Sequence, residues 1–229
     1  MVSIQSCFTL RSQRYTKTRV CISLLIMLTA IGDVMRECYR RGWITTRDGN
    51  CSLRKRKDNK IYITPSGVRK NLIHPEYIER IKILEGGEFL KIEMDENPSG
   101  ELEMHWQLLK NARSTRCVLH VHPTNIVAAM YAGWDLEKMS KQFPEVHRYT
   151  RVGPNVPVLP AISQELADAT SKSFGLGGGS VIYDVVGQGN QGVCAVAANP
   201  WDAFEHIERL EHICQIVLNS GVRPSIMYT

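Results

Sequence analysis

The chain has 229 residues, 43% of them hydrophobic and 22% charged, which is typical of one folded α/β domain or two small ones. Four of its 28 Lys and Arg residues lie in the first 20 positions, which hold no acidic residue, so the rest of the chain is close to neutral and a basic nucleic-acid-binding surface is excluded. The seven cysteines are odd in number and form no Cys-x-x-Cys pair, which indicates reduced thiols in a cytoplasmic protein rather than a disulfide framework.

Residues 1–22 are predicted to be an N-terminal extension ahead of a single domain at 23–229. The apolar run at 21–31 is shorter than the roughly 20 residues that cross a bilayer, so no membrane span is expected. Because the extension carries Arg and Ser without acids, an organelle transit peptide is an alternative to a disordered segment, as is a true start at Met27.

Apolar residues at helical spacing predict helices, and short apolar or alternating runs predict strands. The predicted helices cover residues 23–41, 101–111, 124–131, 163–174 and a long final segment that Pro200-Trp201-Asp202 opens. The predicted strands cover residues 51–54, 60–63, 117–121, 156–159, 181–186 and 193–197, with two more within 79–94. Short strands alternating with helices predict a mixed or antiparallel sheet between helical layers.

His120-Val121-His122 is the sharpest chemical signal. Residues i and i+2 of a strand share a face, so the two imidazoles can chelate one metal ion, although two ordinary polar residues would show the same pattern. Glu101 opens a predicted helix after Ser99 and Gly100, where a carboxylate can simply stabilise the helix start. If Glu101 faces the histidines, it can instead move a proton next to a polarised carbonyl.

Two short loops have the composition of anion-binding turns. Asp48-Gly49-Asn50-Cys51-Ser52 and Thr64-Pro65-Ser66-Gly67 combine glycine with small hydroxyl and amide side chains. Successive backbone N–H groups in such turns suit a phosphate, while an ordinary turn remains the alternative for each loop.

The stretch Gly187 to Gly192, GQGNQG, matches the G-x-G-x-x-G dinucleotide pattern. That pattern should open a helix after the first strand of a βαβ unit, whereas here it lies late in the chain and precedes the strand-like VCAVA. A tight glycine turn between two strands predicts a β-hairpin instead.

In their order, these segments resemble the class II aldolase/adducin family, which includes fuculose-phosphate and rhamnulose-phosphate aldolases and ribulose-phosphate 4-epimerase. The similarity covers about residues 30–220 and rests on five runs: RRGWITTRDGNCSLR, IYITPSGV, NPSGELEMHWQLLKNARSTRCVLHVHP, YTRVGPNVPVLPAISQELADA and GQGNQGVCAVAANPWDAFEHIERLE. The resemblance implies a three-layer α/β/α sandwich with a mixed, mainly antiparallel sheet. It also implies a homotetramer with active sites between subunits.

The resemblance also assigns roles by position. His120 and His122 become zinc ligands, and Glu101 becomes the acid/base that moves the proton at the carbon beside the carbonyl. Tyr149 matches a tyrosine that a neighbouring subunit contributes. The phosphate pocket is assigned to residues of three loops: Gly49, Asn50, Ser66, Gly67 and Ser99.

Two positions depart from the family pattern. Gly100 replaces the second serine of the P-S-S-E segment, which removes a hydroxyl from the phosphate pocket. Gln191 replaces the third zinc-ligating histidine. A neutral amide oxygen suits Zn²⁺ less than imidazole does, so the site would hold Zn²⁺ more weakly or favour a harder ion such as Mn²⁺ or Mg²⁺.

The resemblance therefore predicts a metal-dependent aldehyde-lyase acting on a small phosphorylated ketose in the cytoplasm. An epimerase or dehydratase on the same site is an alternative. A non-catalytic, adducin-like binding protein that has lost its third metal ligand is another. A nucleotide-binding oxidoreductase rests on GQGNQG alone.

Overall fold

A computed structural model describes residues 24–55, 59–83, 89–91, 97–111, 115–176 and 180–224. The predicted extension at 1–22 lies outside these residues, as does the predicted turn at 85–87. Within the described ranges, none of the helices is long and apolar enough to cross a membrane.

Among the described residues, seven strands form one sheet in the order β4-β3-β2-β1-β5-β7-β6, and every neighbouring pair is antiparallel. The strands are β1 (Asn50–Lys55), β2 (Lys60–Ile63), β3 (Glu79–Ile83), β4 (Phe89–Lys91), β5 (Cys117–Val121), β6 (Val185–Gln188) and β7 (Gly192–Ala197). Isolated parallel bridges at Val152–Val185 and Val156–Gln188 make the sheet mixed but mainly antiparallel.

The described helices lie on both faces of the sheet. They are α1 (24–40), α2 (Leu102–Asn111), α3 (Thr124–Tyr131), α4 (Leu136–Ser140), α5 (Pro144–Tyr149), α6 (Gln164–Ser173) and α7 (Pro200–Asn219), with short 3-10 helices at Lys70–Leu72 and Pro75–Tyr77. One hydrophobic core joins the sheet to α1, α3 and α7, and the other joins it to α2 and α6. The predicted three-layer α/β/α sandwich is confirmed.

The period of two along β5 sorts its side chains between these cores. Leu119 and Val121 pack into the core with α3 and α7, whereas Val118 packs into the core with α2. His120 lies on the same face as Val118. The strand therefore directs the first histidine of the H-x-H pair towards the start of α2.

Local chemistry fixes the helix ends that frame the site. Gly42, at a φ of +71°, ends α1, and the Trp43 N–H donates to the Cys38 carbonyl at 2.9 Å, which is the hydrogen bond of a Schellman motif. At the start of α3, the buried Glu211 of α7 accepts the backbone N–H of Asn125 at 3.1 Å and of Ile126 at 2.8 Å. A carboxylate at a helix N-terminus satisfies free donors and favours the helix dipole.

Two strand predictions near the proline-rich segment are wrong. Residues 157–159 form no strand, because Pro157 and Pro160 lack N–H groups and only Val156 bridges to the sheet. The strand predicted at 181–186 begins only at Val185, since the preceding N–H groups bond to the Phe174 and Arg151 carbonyls instead. Helices α4 and α5 were not predicted from the sequence.

Candidate active site

A cavity of about 230 Å³ opens where the loop before β1 meets the ends of β5 and the β6–β7 hairpin. All but one of the predicted site residues line it, although they come from five separate segments of the chain. These residues are Gly49, Asn50, Ser66, Gly67, Ser99, Glu101, His120, His122 and Gln191.

The pairing of β1 with β5 places the first loop against the histidines. Asn50 lies directly opposite His120 in the antiparallel register. Gly49 makes this approach feasible, since its φ is +71° and an added Cβ would lie 2.7 Å from Ile44 Cγ2 and 3.1 Å from the His120 carbonyl oxygen. The first glycine loop is therefore built into the sheet edge that carries the H-x-H pair.

The two histidines face each other through their Nε2 atoms, which lie 3.0 Å apart. His120 Nδ1 lies 3.2 Å from the Val193 carbonyl oxygen, which can only accept, so Nδ1 carries a hydrogen. Burial, reinforced by His120, lowers the pKa of His122 to about 4, which keeps that ring neutral near pH 7. A neutral imidazole with an accessible nitrogen is the form that binds a metal ion.

Glu101 lies against this pair at the entrance to α2. Its Oε2 is 3.5 Å from His120 Nε2 and accepts Asn50 Nδ2 at 3.1 Å. Burial alone would raise the pKa of Glu101, but His120 and the Asn50 hydrogen bond outweigh burial and lower it below its ordinary value. The side chain is therefore an ionised carboxylate at neutral pH. Ser99 Oγ accepts the Glu101 N–H at 3.3 Å, so Ser99 also stabilises the helix start.

A buried chain of hydrogen bonds lies behind Glu101, and it was not identified from the sequence. His105 Nε2 bonds to Asn50 Oδ1, and His105 Nδ1 lies 2.6 Å from Ser52 Oγ. Burial lowers the pKa of His105 to about 3, so its ring is neutral. With Asn50 Oδ1 accepting from His105, the Asn50 amide must turn its NH₂ group to Glu101. The spacing of His105, one helical turn after Glu101, was the available signal.

The third predicted ligand position lies on the β6–β7 hairpin. Gln191 lines the cavity, and its N–H donates to the Gln188 carbonyl at 3.0 Å. The following Gly192 lets the hairpin pass close to the histidines, since an added Cβ would lie 2.7 Å from His122 Cδ2. Within the described ranges, no group of three or more His, Cys, Asp or Glu side chains is placed to hold a metal ion. The cavity therefore offers two imidazoles, the neutral amide of Gln191 and the Glu101 carboxylate as possible donors.

Tyr149 is the predicted site residue that the fold keeps apart. It ends α5, is 50% exposed and lines a separate cavity of about 400 Å³ with Arg151, Asp184 and His206. Within one subunit, Tyr149 therefore does not border the cavity that holds Glu101, His120 and His122.

The cavity wall also includes residues that were not predicted as site residues, among them Lys70 and Ile162. Lys70 lines the cavity although it is only 2% exposed. Ile162 is 66% exposed, lies over Gly100 and has a φ of +61°, a left-handed conformation that a β-branched residue rarely adopts. No local pattern marks either residue, because Lys70 follows an ordinary turn and Ile162 ends a proline-rich segment.

Known proteins are similar in sequence to this chain over most of its length. A family model described as "Class II Aldolase and Adducin N-terminal domain" matches residues 29–218. An L-fuculose phosphate aldolase from Methanococcus maripaludis is 26% identical over 189 residues, which are 82% of this chain and 94% of that protein. A 3-oxo-tetronate 4-phosphate decarboxylase from Escherichia coli is 26% identical over 196 residues, covering 81% of this chain and 83% of that protein.

Solved structures share the fold. A sugar-phosphate aldolase from Thermotoga maritima superposes with a TM-score of 0.73 at 22% sequence identity. The superposition covers 86% of this chain and 97% of that protein. At this level of identity the likeness establishes the three-layer architecture.

Proposed function

Because the chain belongs to the class II aldolase and adducin family, we propose that it is a metal-dependent aldehyde-lyase acting on a small phosphorylated ketose. One observation carries the proposal: the Glu101 carboxylate lies 3.5 Å from His120 Nε2, which lies 3.0 Å from His122 Nε2, in a cavity bordered by two glycine loops. A base, a pair of metal-ligating nitrogens and an anion-binding wall are the groups that such a reaction requires.

Two imidazole nitrogens and an amide oxygen are donors that can hold a divalent ion. We propose that His120, His122 and the amide oxygen of Gln191 would hold Zn²⁺, or a harder ion such as Mn²⁺. When bound there, the ion would polarise the ketose carbonyl and offset the negative charge that develops on its oxygen.

The chain's own residues would supply the remaining steps. The ionised Glu101 carboxylate, whose Oε2 accepts a hydrogen bond from Asn50, would act as the base. It would take the proton from the substrate hydroxyl whose O–H electrons then drive carbon–carbon cleavage. Alternatively, it would move the proton at the carbon beside the carbonyl. The loops at Gly49 and Ser66-Gly67 would hold the phosphate, and burial of Glu101 would limit competing water. The relatives include a decarboxylase, and an epimerase or dehydratase could use the same groups.

Assembly completes the proposal. Tyr149 is exposed and lies outside the cavity that holds Glu101 in the same subunit. This position supports a homo-oligomer in which the tyrosine of one subunit contributes to the site of a neighbouring subunit. The family resemblance gives a tetramer as the expected assembly.

A second candidate is a non-catalytic binding protein of the adducin type. It is favoured by Gln191, since the described residues include no group of three or more His, Cys, Asp or Glu side chains placed to hold a metal ion. The retained Glu101, His120 and His122 favour catalysis, because a binding role requires none of them.

Metal content distinguishes the two candidates. We would purify wild type and Gln191→His without added metal, measure metals by elemental analysis, and screen both against ketose 1-phosphates for aldehyde release. About one divalent ion per wild-type chain together with cleavage supports the lyase. Metal-free wild type with zinc gained by Gln191→His supports the binding protein. If neither protein binds metal, the assignment of His120 and His122 as ligands is wrong.

A further inference from the structure

Lys70 is a buried cation that the proposed reaction does not use. Its Nζ donates to three backbone carbonyls: Arg47 at 3.1 Å, Pro65 at 3.3 Å and Val68 at 3.2 Å. The Lys70 N–H adds a fourth link, to the Thr46 carbonyl at 2.8 Å. One side chain therefore ties together the two glycine loops that border the cavity.

These contacts use all the donors of the ammonium without neutralising its charge. An ammonium has three N–H groups, and all three are bonded to neutral carbonyls. Asp48 is the acidic neighbour whose field favours the charge, but it forms no ion pair with Lys70 in the described part of the chain. Burial lowers the pKa of Lys70 to about 8, the expected response of a desolvated and poorly compensated cation.

The cavity beside Lys70 presents the groups that an anion needs. The hydrogen bonds of the described residues leave the N–H groups of Gly49 and Gly67 without a protein acceptor, and both glycines line the cavity at positive φ. Because the loop carbonyls bond to Nζ, the loops are held in the conformation that borders the cavity. An anion would compensate the ammonium charge and accept the free N–H groups.

We propose that Lys70 is the positioning residue for the substrate's phosphate. Its hydrogen bonds hold the two glycine loops in place, and its positive charge favours binding of a phosphate dianion. This inference rests on the proposed function for its substrate class. Lys70 would not hydrogen-bond to the phosphate, because its three N–H groups already bond to backbone carbonyls. It would act on the phosphate through the loops that it holds in place and through its positive charge.

The probe is inorganic phosphate, titrated into the full chain and followed by thermal shift and calorimetry. Wild type should bind phosphate saturably, and Lys70→Met should bind it at least about tenfold more weakly, since a nearby charge in a partly desolvated site contributes on the order of 1 kcal/mol or more. Arg47→Met is the matched control, because it removes a positive charge from the same cavity wall but leaves the Arg47 carbonyl in place. This control should weaken binding less than threefold, because Arg47 is exposed and water screens its charge, whereas Lys70 is buried.

Unchanged phosphate affinity in a folded Lys70→Met protein would overturn the inference, and so would equal losses in Lys70→Met and Arg47→Met. If Lys70→Met does not fold, Lys70→Gln retains an N–H donor without the charge and should give the same loss. Independently of any variant, phosphate should slow amide hydrogen exchange in wild type at residues 46–50 and 64–70. Phosphate binding without that protection would also refute the proposal.

Two results distinguish a failure of the Lys70 inference from a failure of the proposed reaction. Lys70-dependent phosphate binding in a protein that cleaves no ketose phosphate would retain the inference and remove the proposed activity. Cleavage of a ketose phosphate whose KM is unaffected in Lys70→Gln would retain the activity and remove the inference.

Discussion

Replacing His105 with leucine should destabilise the protein strongly, because the ring is buried and hydrogen-bonded on both sides. The ring is fully buried and bonds to Ser52 Oγ and Asn50 Oδ1. Leucine would leave both partners buried without their hydrogen bonds, and each such group costs about 1–3 kcal/mol. We therefore expect His105→Leu to lower the free energy of unfolding by about 2–5 kcal/mol at pH 7.

Urea denaturation followed by circular dichroism measures this change directly. His212→Leu is the matched control, because His212 is exposed on α7 and its replacement should change stability by about 0.5 kcal/mol or less. A loss below about 1 kcal/mol in His105→Leu, with an unchanged m value, would refute the assigned hydrogen-bond chain.

The pH dependence gives a second test of the same residue. The pKa of His105 is about 3 in the folded protein and near its ordinary 6.5 in the unfolded chain, so the unfolded state binds the extra proton between these values. The stability from the neutral ring is therefore present above pH 6.5 and lost as pH falls towards 3. When the pH is lowered from 6.5 to 5.5, the free energy of unfolding should fall by about 1 kcal/mol more in wild type than in His105→Leu. Parallel stability curves for the two proteins would contradict a neutral, buried His105.

Three further changes test other parts of the structure. Glu101→Gln should lower ketose phosphate cleavage by about 10²–10⁴-fold with a native circular dichroism spectrum, because the amide cannot take the proton; undiminished turnover would contradict its role. Glu211→Ala should lower the free energy of unfolding by about 1–3 kcal/mol in urea denaturation, since it leaves the first N–H groups of α3 without their acceptor, whereas Gln215→Ala at an exposed position of α7 should lower it by about 0.5 kcal/mol or less. Ile162→Gly should stabilise the fold by about 1 kcal/mol, measured by thermal unfolding, because it removes a β-branched residue from a left-handed conformation; a lower Tm would show that its side-chain contacts outweigh the backbone strain.

Much of the candidate site could be predicted from local patterns. The i, i+2 spacing of His120 and His122 requires a shared strand face, and the strand formed at Cys117–Val121 as predicted. The G-x-G-x-x-G stretch was assigned to a hairpin because a strand-like run follows it, and β6 and β7 confirm that assignment. The glycine loops were identified by composition, and both border the cavity.

Other features depend on which segments become neighbours, which local periodicity does not encode. The family resemblance, rather than spacing, indicated that Glu101 would face the histidines, and the structure shows the contact at 3.5 Å. The proline-rich segment around Val156 resembled a strand in hydrophobicity, but the missing N–H groups exclude it from the sheet ladder.

The sequence by itself determined the strand and helix periods, the H-x-H face and the helix stop at Gly42, because these follow from the geometry of a few adjacent residues. Only the tertiary structure decided that Asn50 pairs with His120, that His105 orients the Asn50 amide and that Lys70 is buried beneath two loops. Those relations join residues far apart in the chain, and they arise from antiparallel pairing and the need to satisfy buried polar groups.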